Sequence, residues 1–244
     1  MEMEDGEAPG HPEIYRVMAD NPGPMTLTGT NTYLYGNDPC WVIDPGPEDE
    51  AHAEAVRSAA GARGGLAGGV LTHSHNDHSG GIEMLGTGMS ELVDGQEYGG
   101  LTAIATPGHA TDHFVLFTAD GVCFSGDLIL GWGSTYVPPD GGSLTSYMES
   151  LRLVRKHQPT LICPGHGPWI TDPAAKVNEY LEHRESRENG LVEALDRGVR
   201  SKMTLLDEVW SDVHEMLRPA ANVVMEAHLQ KLESEGRLPR DLGE

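Results

Sequence analysis

The chain has 244 residues, and its 38 Asp/Glu against 16 Lys/Arg give a formal net charge of −22. That length can bury one sizeable core with a small appendage, while the acidity excludes the basic stripe on which nucleic-acid binding normally rests. No run approaches the 18 or so apolar residues of a membrane span, so no membrane partner is expected.

The charge is unevenly spread. Residues 1–173 carry six Lys/Arg against 23 Asp/Glu, residues 174–244 ten against 15, and no Lys or Arg occurs between Gly64 and Leu151. The acidic start, Met1-Glu2-Met3-Glu4-Asp5-Gly6-Glu7, has no apolar core, so residues 1–13 are expected to be a disordered tail rather than a secretory signal. Cys40, Cys123 and Cys163 are odd in number and sit in apolar runs. They read as reduced core residues of a cytoplasmic protein.

In chain order, Ile14 to Ala19 reads as a strand, stopped by the turn Asn21-Pro22-Gly23-Pro24. Thr32 to Tyr35 and Cys40 to Ile43 read as paired strands around Gly36-Asn37-Asp38, and Asp44-Pro45-Gly46 ends the second. Glu50 to Ala60 is alanine-rich and helical, and Gly61 should stop it. The short apolar run Gly69-Val70-Leu71 follows as a strand, so strand–helix–strand points to a layered α/β architecture.

Next comes the densest chemistry in the chain, Thr72-His73-Ser74-His75-Asn76-Asp77-His78-Ser79-Gly80-Gly81. Imidazoles and a carboxylate together suit zinc, manganese or iron. In extended backbone His73 and His75 point the same way and can grip one ion. Asp77 and His78, after the turn, can face a second, and the two glycines should let a helix start. Each ion needs about four ligands, so others must come from elsewhere. Three candidates follow short apolar runs, each preceded by glycine: His109 in Thr106-Pro107-Gly108-His109, Asp127 in Phe124-Ser125-Gly126-Asp127, and His166 in Pro164-Gly165-His166-Gly167. Leu101 to Ala105 and Phe114 to Phe117 are expected strands around the His109 loop, where His113 reads as structural. Gly131 to Tyr136 should be a loop near the pocket, where Trp132 and Tyr136 either contact substrate or pack, with packing preferred. Ser143 to His157 is a helix with Leu144, Tyr147, Leu151 and Val154 on one face.

Residues 174–244 read as helical, in segments Ala174 to Arg187, Gly190 to Arg197, Thr204 to Trp210 and Pro219 to Ser234. Thr204 is the expected N-cap, and Pro219 suits a first turn.

The series His-x-His-x-Asp-His, then a lone His, a lone Asp and a last His, resembles the metallo-β-lactamase superfamily. Asn21-Pro22-Gly23-Pro24-Met25-Thr26-Leu27, Gly29 to Leu34, Ser125 to Gly131 and His183-Arg184 resemble the beta-lactamase-like protein 2 branch, over roughly residues 14–240. The resemblance implies a four-layer αββα metallo-β-lactamase sandwich over residues 14–173, with a small helical winged-helix-like domain over 174–244. It implies two divalent metal ions, zinc foremost, with manganese or iron as alternatives. His73, His75 and His109 would hold one, Asp77, His78 and His166 the other, and Asp127 would bridge. Asp77 would also orient a metal-bridging hydroxide. Asp44 would either support a ligand histidine or be a plain turn residue. The segment Ile82 to Val93 is shorter than the family usually has.

The expected activity is hydrolysis of a small-molecule ester, thioester or lactone, because a neutral acyl group needs no cationic groove. The alternatives are a metal-dependent endoribonuclease acting on single-stranded RNA, which the resemblance implies but the charge disfavours, and a non-enzymatic binding protein. The helical tail is expected to be a packing lid or a homodimer element rather than a DNA reader.

Overall fold

The structure is a computed structural model, and it describes residues 4–243. Period-two burial sorts the strand residues onto two faces. β1 (Gly6–Ala8), β2 (His11–Met18), β3 (Asn31–Tyr35), β4 (Cys40–Ile43) and β5 (Leu66–Val70) form one sheet in that order. β6 (Glu97–Tyr98), β7 (Leu101–Ala105), β8 (Phe114–Thr118), β9 (Val122–Gly126) and β10 (Leu161–Pro164) form the other, in the order β10-β9-β8-β7-β6. Only β4–β5 and β9–β10 pair in parallel. Parallel neighbours need a long crossover, and here each crossover carries a helix: α1 (Glu50–Gly61) after β4, and, after two short helices, α2 (Asn76–Ser79) and α3 (Ile82–Leu85), the longer α4 (Leu144–His157) after β9.

Ile14, Tyr33, Ile43, Leu116, Phe124 and Cys163 point between the sheets, where Tyr33 meets Phe124 edge-on at 5.3 Å. Their sequence neighbours point outward. Val17, Leu34 and Val42 pack on Ala53, Val56 and Ala60 of α1. Val115, Cys123 and Ile162 pack on Tyr147, Leu151 and Val154 of α4 and on Val177, Tyr180 and Leu181 of α5 (Pro173–Asp196). The result is a four-layer αββα sandwich in which each fully buried large side chain contributes roughly 1.5–3 kcal/mol. A small C-terminal unit follows, built from α6 (Lys202–Val209) and α7 (Arg218–Ser234) packed on the end of α5 through Leu191, Leu195, Leu205, Trp210, Met225 and Leu229. Among the described residues, no helix is long and apolar enough to cross a membrane, and the three cysteines are free and buried.

Several sequence expectations need correction. The first 13 residues are not a disordered tail over the described part: β1 pairs antiparallel with β2, Gly6 opposite Arg16. Met18 N donates to Asp5 Oδ1 at 2.7 Å, and the Arg16 guanidinium donates to Glu4 O. Acidic composition did not reveal backbone pairing. Residues 1–3 of that stretch lie outside the described residues. The helix expected after Gly80-Gly81 is α3, which starts at Ile82, and a further short helix not expected, α2, starts at Asn76 inside the histidine motif. The two helices expected over Ala174 to Arg187 and Gly190 to Arg197 are one, α5, of 24 residues. One glycine costs a helix only about 1 kcal/mol, and at Gly190 an added Cβ would lie 3.2 Å from Val209 Cγ1, so the missing side chain lets α6 approach. The N-cap of α6 is Ser201, which accepts from Thr204 N.

His228 on α7 is fully buried, edge-on to Trp210 at 5.8 Å, with neither ring nitrogen hydrogen-bonded within the protein. Burial, with Arg184 and Lys231 nearby, pushes its pKa down to about 3. The unfolded chain therefore binds a proton near pH 6.5 that the folded chain refuses until about pH 3, so stability falls as pH drops through that window. His228→Leu should raise Tm at pH 7, because it removes an unpaired buried polar group. It should also flatten the loss of stability between pH 6.5 and 3, as read from urea unfolding across pH.

Candidate metal centre

All seven predicted side chains meet at one edge of the sandwich, where strands of both sheets end. His73, His75, Asp77 and His78 follow β5, His109 follows β7, Asp127 follows β9 and His166 follows β10. Ligand atoms of His73, His75 and His109 lie within 4.8 Å of one another, as do those of Asp77, His78 and His166. His75 Nδ1 is 2.9 Å from His73 Nε2 and 3.0 Å from His109 Nε2. On the other side, Asp77 Oδ2 is 3.2 Å from His166 Nε2 and 3.6 Å from His78 Nε2. Asp127 faces both groups. Its Oδ1 lies 3.4 Å from His78 Nε2 and 3.3 Å from His166 Nε2, and its Oδ2 lies 3.7 Å from His109 Nε2.

Four of the five imidazoles are pinned by the outer nitrogen. His78 Nδ1 donates to Asp44 Oδ2 at 2.9 Å. His73 Nδ1 donates to Thr72 Oγ1 at 3.0 Å, and that hydroxyl donates in turn to Asp44 Oδ2 at 2.7 Å. His109 Nδ1 donates to Tyr136 O at 2.7 Å, and His166 Nδ1 to Gly29 O at 3.2 Å. With Nδ1 carrying the proton, each Nε2 presents a lone pair to the centre, the arrangement metal-ligating histidines need. Asp44 is thus more than a turn residue: Thr72 N also donates to its Oδ1 at 2.7 Å, and it holds φ at 53°.

The electrostatics split the rings: His73 and His109 are held neutral, whereas the carboxylates beside His78 and His166 favour a second proton that a bound cation would displace. Burial and His78 hold His73 far below the ordinary imidazole range. Burial also lowers His109, against the pull of Asp127. For His166 burial is outweighed by Asp127 and Asp77, and its pKa is pushed up to about 9. Burial of the Asp127 carboxyl is outweighed by His166 and His78, which hold it well below the usual carboxylate range. His78 Nε2 and Asp127 Oδ1 are buried without a hydrogen-bond partner although they are neighbours. Orphaned inward-facing donor atoms, in a set of imidazoles and carboxylates, fit divalent cations.

The glycine before the ligand has a steric cause. At Gly165 an added Cβ would sit 2.5 Å from Asp127 Oδ1 and 2.7 Å from His78 Cε1, inside the cluster. At Gly126, where φ is 47°, it would sit 2.5 Å from Thr72 Oγ1. His113 stays outside both groups, its Nδ1 bonded to Thr106 Oγ1 at 2.9 Å.

Two supports had no chemical signature in the sequence. Buried Asn31 clamps the His166 loop through Nδ2, which donates to Pro164 O and Gly167 O at 2.9 Å each, and Tyr33 OH donates to Pro164 O at 2.7 Å. An asparagine inside an apolar strand was the available clue. Arg184, 2% exposed on α5, donates to Thr135 O. Thr135 Oγ1 donates to Asp127 O at 2.9 Å, and the next carbonyl, that of Tyr136, holds His109. Arg184 and Arg187 both line the cavity over the cluster, so its wall is not free of cations as the charge pattern suggested. Trp132 and Tyr136 line it as well, and Tyr136 also packs against the C-terminal core, so the preference for packing holds only in part.

A model of the metallo-beta-lactamase superfamily matches residues 25–86 and 91–166, a span that contains all seven side chains. The chain belongs to this superfamily. The beta-lactamase associated winged helix domain matches residues 201–242. The chain is 33% identical over 266 residues to Beta-lactamase-like protein 2 homolog of Drosophila melanogaster, covering 92% of this chain and 89% of that one. It is likewise 33% identical over 221 residues to the atrochrysone carboxyl ACP thioesterase of Aspergillus fumigatus, covering 80% and 69%. A beta-lactamase domain protein from Burkholderia ambifaria shares the fold at a TM-score of 0.82 and 20% identity, over 99% and 91% of the two chains. The chain is accordingly a metallo-β-lactamase-fold hydrolase with a C-terminal winged helix and a cluster suited to divalent metal.

Asp44→Asn keeps a residue that tolerates left-handed backbone but neutralises the group that pins His78. Metal affinity should fall by roughly 10–100-fold, measured by chelator competition. Gly165→Ala should fold yet lose metal stoichiometry, measured by elemental analysis. Gly88→Ala, with open space around it, should lose none.

Proposed function

We propose that the protein is a binuclear metal-dependent hydrolase, with zinc as the ion, acting on a small-molecule ester, thioester or lactone. His73, His75 and His109 would hold one ion and Asp77, His78 and His166 the other, with Asp127, which faces both groups, as the shared ligand. Bound there, divalent ions supply Lewis acidity and bring the pKa of water toward neutrality. Asp77 is the more open carboxylate, its side chain 28% exposed against 11% for Asp127, and it faces the cavity. It orients the attacking water. Water adds its oxygen to the acyl carbon, the carbon–sulfur or carbon–oxygen bond breaks, and the leaving atom takes up a proton. No Ser or Cys nucleophile is required, and all three cysteines are buried in the core.

The observation that carries the acyl reading is the state of the cations around the cavity. Arg187 is held by both oxygens of Asp212 at 2.8 and 2.9 Å, and Arg184 is engaged by the Thr135 carbonyl. In the C-terminal unit Lys202 pairs with Glu226, Arg218 with Asp207, Lys231 with Glu188 and Arg237 with Glu188. Arg197 and Arg200 are paired with Glu208 and Asp241. A polyanion would have to displace these pairs. The similarity to a thioesterase supports the same reading. The second reading, the endoribonuclease that the family resemblance implies, is separated from the first by the same assay.

Zinc-loaded protein should hydrolyse acyl thioesters with little change between about 50 and 200 mM salt, whereas cleavage of single-stranded RNA would fall steeply. Chelation and Asp127→Ala should each abolish turnover. Full activity and full metal content in Asp127→Ala would refute the bridging role.

A further inference from the structure

The cavity over the cluster extends well beyond it, to about 750 Å³, within the range that holds a drug-sized ligand. Its far wall comes from the winged-helix unit. Leu217, Ala220, Ala221 and Val224 recur at spacings of three and four, so they share one face at the start of α7, and Trp210 and Val213 extend that face. Met225, Leu229 and Leu232 of the same helix pack into the C-terminal core. Ala221 and Val224 belong to that core as well, so the helix carries one broad apolar face whose leading edge, Leu217, Ala220, Ala221 and Val224, borders the cavity. The only carboxylate the unit adds to the lining is Asp212, which Arg187 neutralises. At the mouth, Met25, Trp132 and Leu217 line the cavity while remaining 49%, 40% and 42% exposed. Large apolar side chains left in water around an opening mark a binding surface.

We infer that this wall is the subsite for an extended apolar acyl chain of the substrate, and that Ala220 and Ala221 set its length. The bond that is cut rests on the hydrolase reading above; the subsite does not. Three features favour an acyl chain as the occupant. The lining is continuous with the side chains that would meet the carbonyl. Asp212, the carboxylate this wall carries among the described residues, is paired with Arg187. The two alanines leave depth where any larger residue on α7 would fill it.

The test uses zinc-loaded full-length protein and a series of saturated straight-chain carboxylates below their micelle concentrations, with binding followed by tryptophan fluorescence, since Trp132 and Trp210 line the cavity. Affinity should rise about fourfold per added methylene, then level off when the subsite is full. Ala221→Phe should move that plateau to shorter chains, and the milder Ala220→Leu, which guards against misfolding of the first variant, should move it less. Affinity independent of chain length, or a plateau that neither folded variant moves, overturns the inference. The same series as thioesters separates it from the hydrolase reading. Chain-length-dependent binding without turnover keeps the subsite and removes the reaction, whereas turnover with one KM for every chain length keeps the reaction and removes the subsite.

Discussion

The centre depends on hydrogen bonds that face away from it. Five imidazoles and two carboxylates crowd one sandwich edge, and left free they would rotate, bond one another and satisfy themselves. Their rotation is blocked because His73, His78, His109 and His166 each spend Nδ1 on an acceptor behind the ring, and the contacts they keep with one another, such as His75 Nδ1 with His73 Nε2 and His109 Nε2, lie on the inward side. The acceptors differ in kind: a hydroxyl, a carboxylate and two backbone carbonyls. What they share is that each belongs to a segment other than the strand end carrying its ligand, or, for Thr72, is itself tied to Asp44 on the neighbouring strand end. Orientation of the ligands is therefore a property of the packed fold and not of the histidine motif.

That division explains what could be read in the sequence. Spacing and residue type revealed the seven side chains, since His-x-His-x-Asp-His and three strand–glycine–ligand segments are local patterns. Strands and α4 were legible from alternation and from the three–four spacing for the same reason. Asn31, Arg184 and the Gly29 carbonyl were not, because each acts on a residue more than a hundred, or about fifty, positions away, and no local pattern encodes that. The N-terminal hairpin was misread for a related reason: its stability lies in backbone pairing, to which an acidic composition is silent. The break expected between Arg187 and Gly190 was misread because the contact that explains the glycine, Val209, comes from the next helix.

The two sheets reach the site differently. The first sheet brings the histidine motif on the loop after β5, with Asp44 at the end of β4, and these are parallel neighbours, so Thr72 N can bond Asp44 directly. The second brings Asp127 and His166 on the parallel neighbours β9 and β10, where Gly165 N bonds Gly126 O at 2.8 Å. Each parallel pair thus delivers two functional groups from adjacent strand ends. The sheets are then tied across the site, by Asn31 to the His166 loop and by Phe114 N to Thr72 O at 2.7 Å. Relative sliding of the sheets would separate Asp127 from His78, so the inter-sheet core around Tyr33 and Phe124 sets the distance between the two halves of the centre.

Helix α5 carries this coupling to the far side of the cavity. Its first half packs in the sandwich core through Val177, Tyr180 and Leu181, and its second half packs in the C-terminal core through Leu191, Ala194 and Leu195. Between them Arg184 reaches the loop that holds Asp127 and His109, and Arg187 reaches Val209 and Asp212 beside the apolar wall. An unbroken helix is stiff over one or two turns, so these two arginines fix the wall relative to the ligands. A winged helix joined by a flexible linker would let the wall drift and would leave its apolar face in water. One joined by a continuous helix holds that face at a set distance from the histidine–aspartate cluster, which is the condition for a wall to discriminate by length.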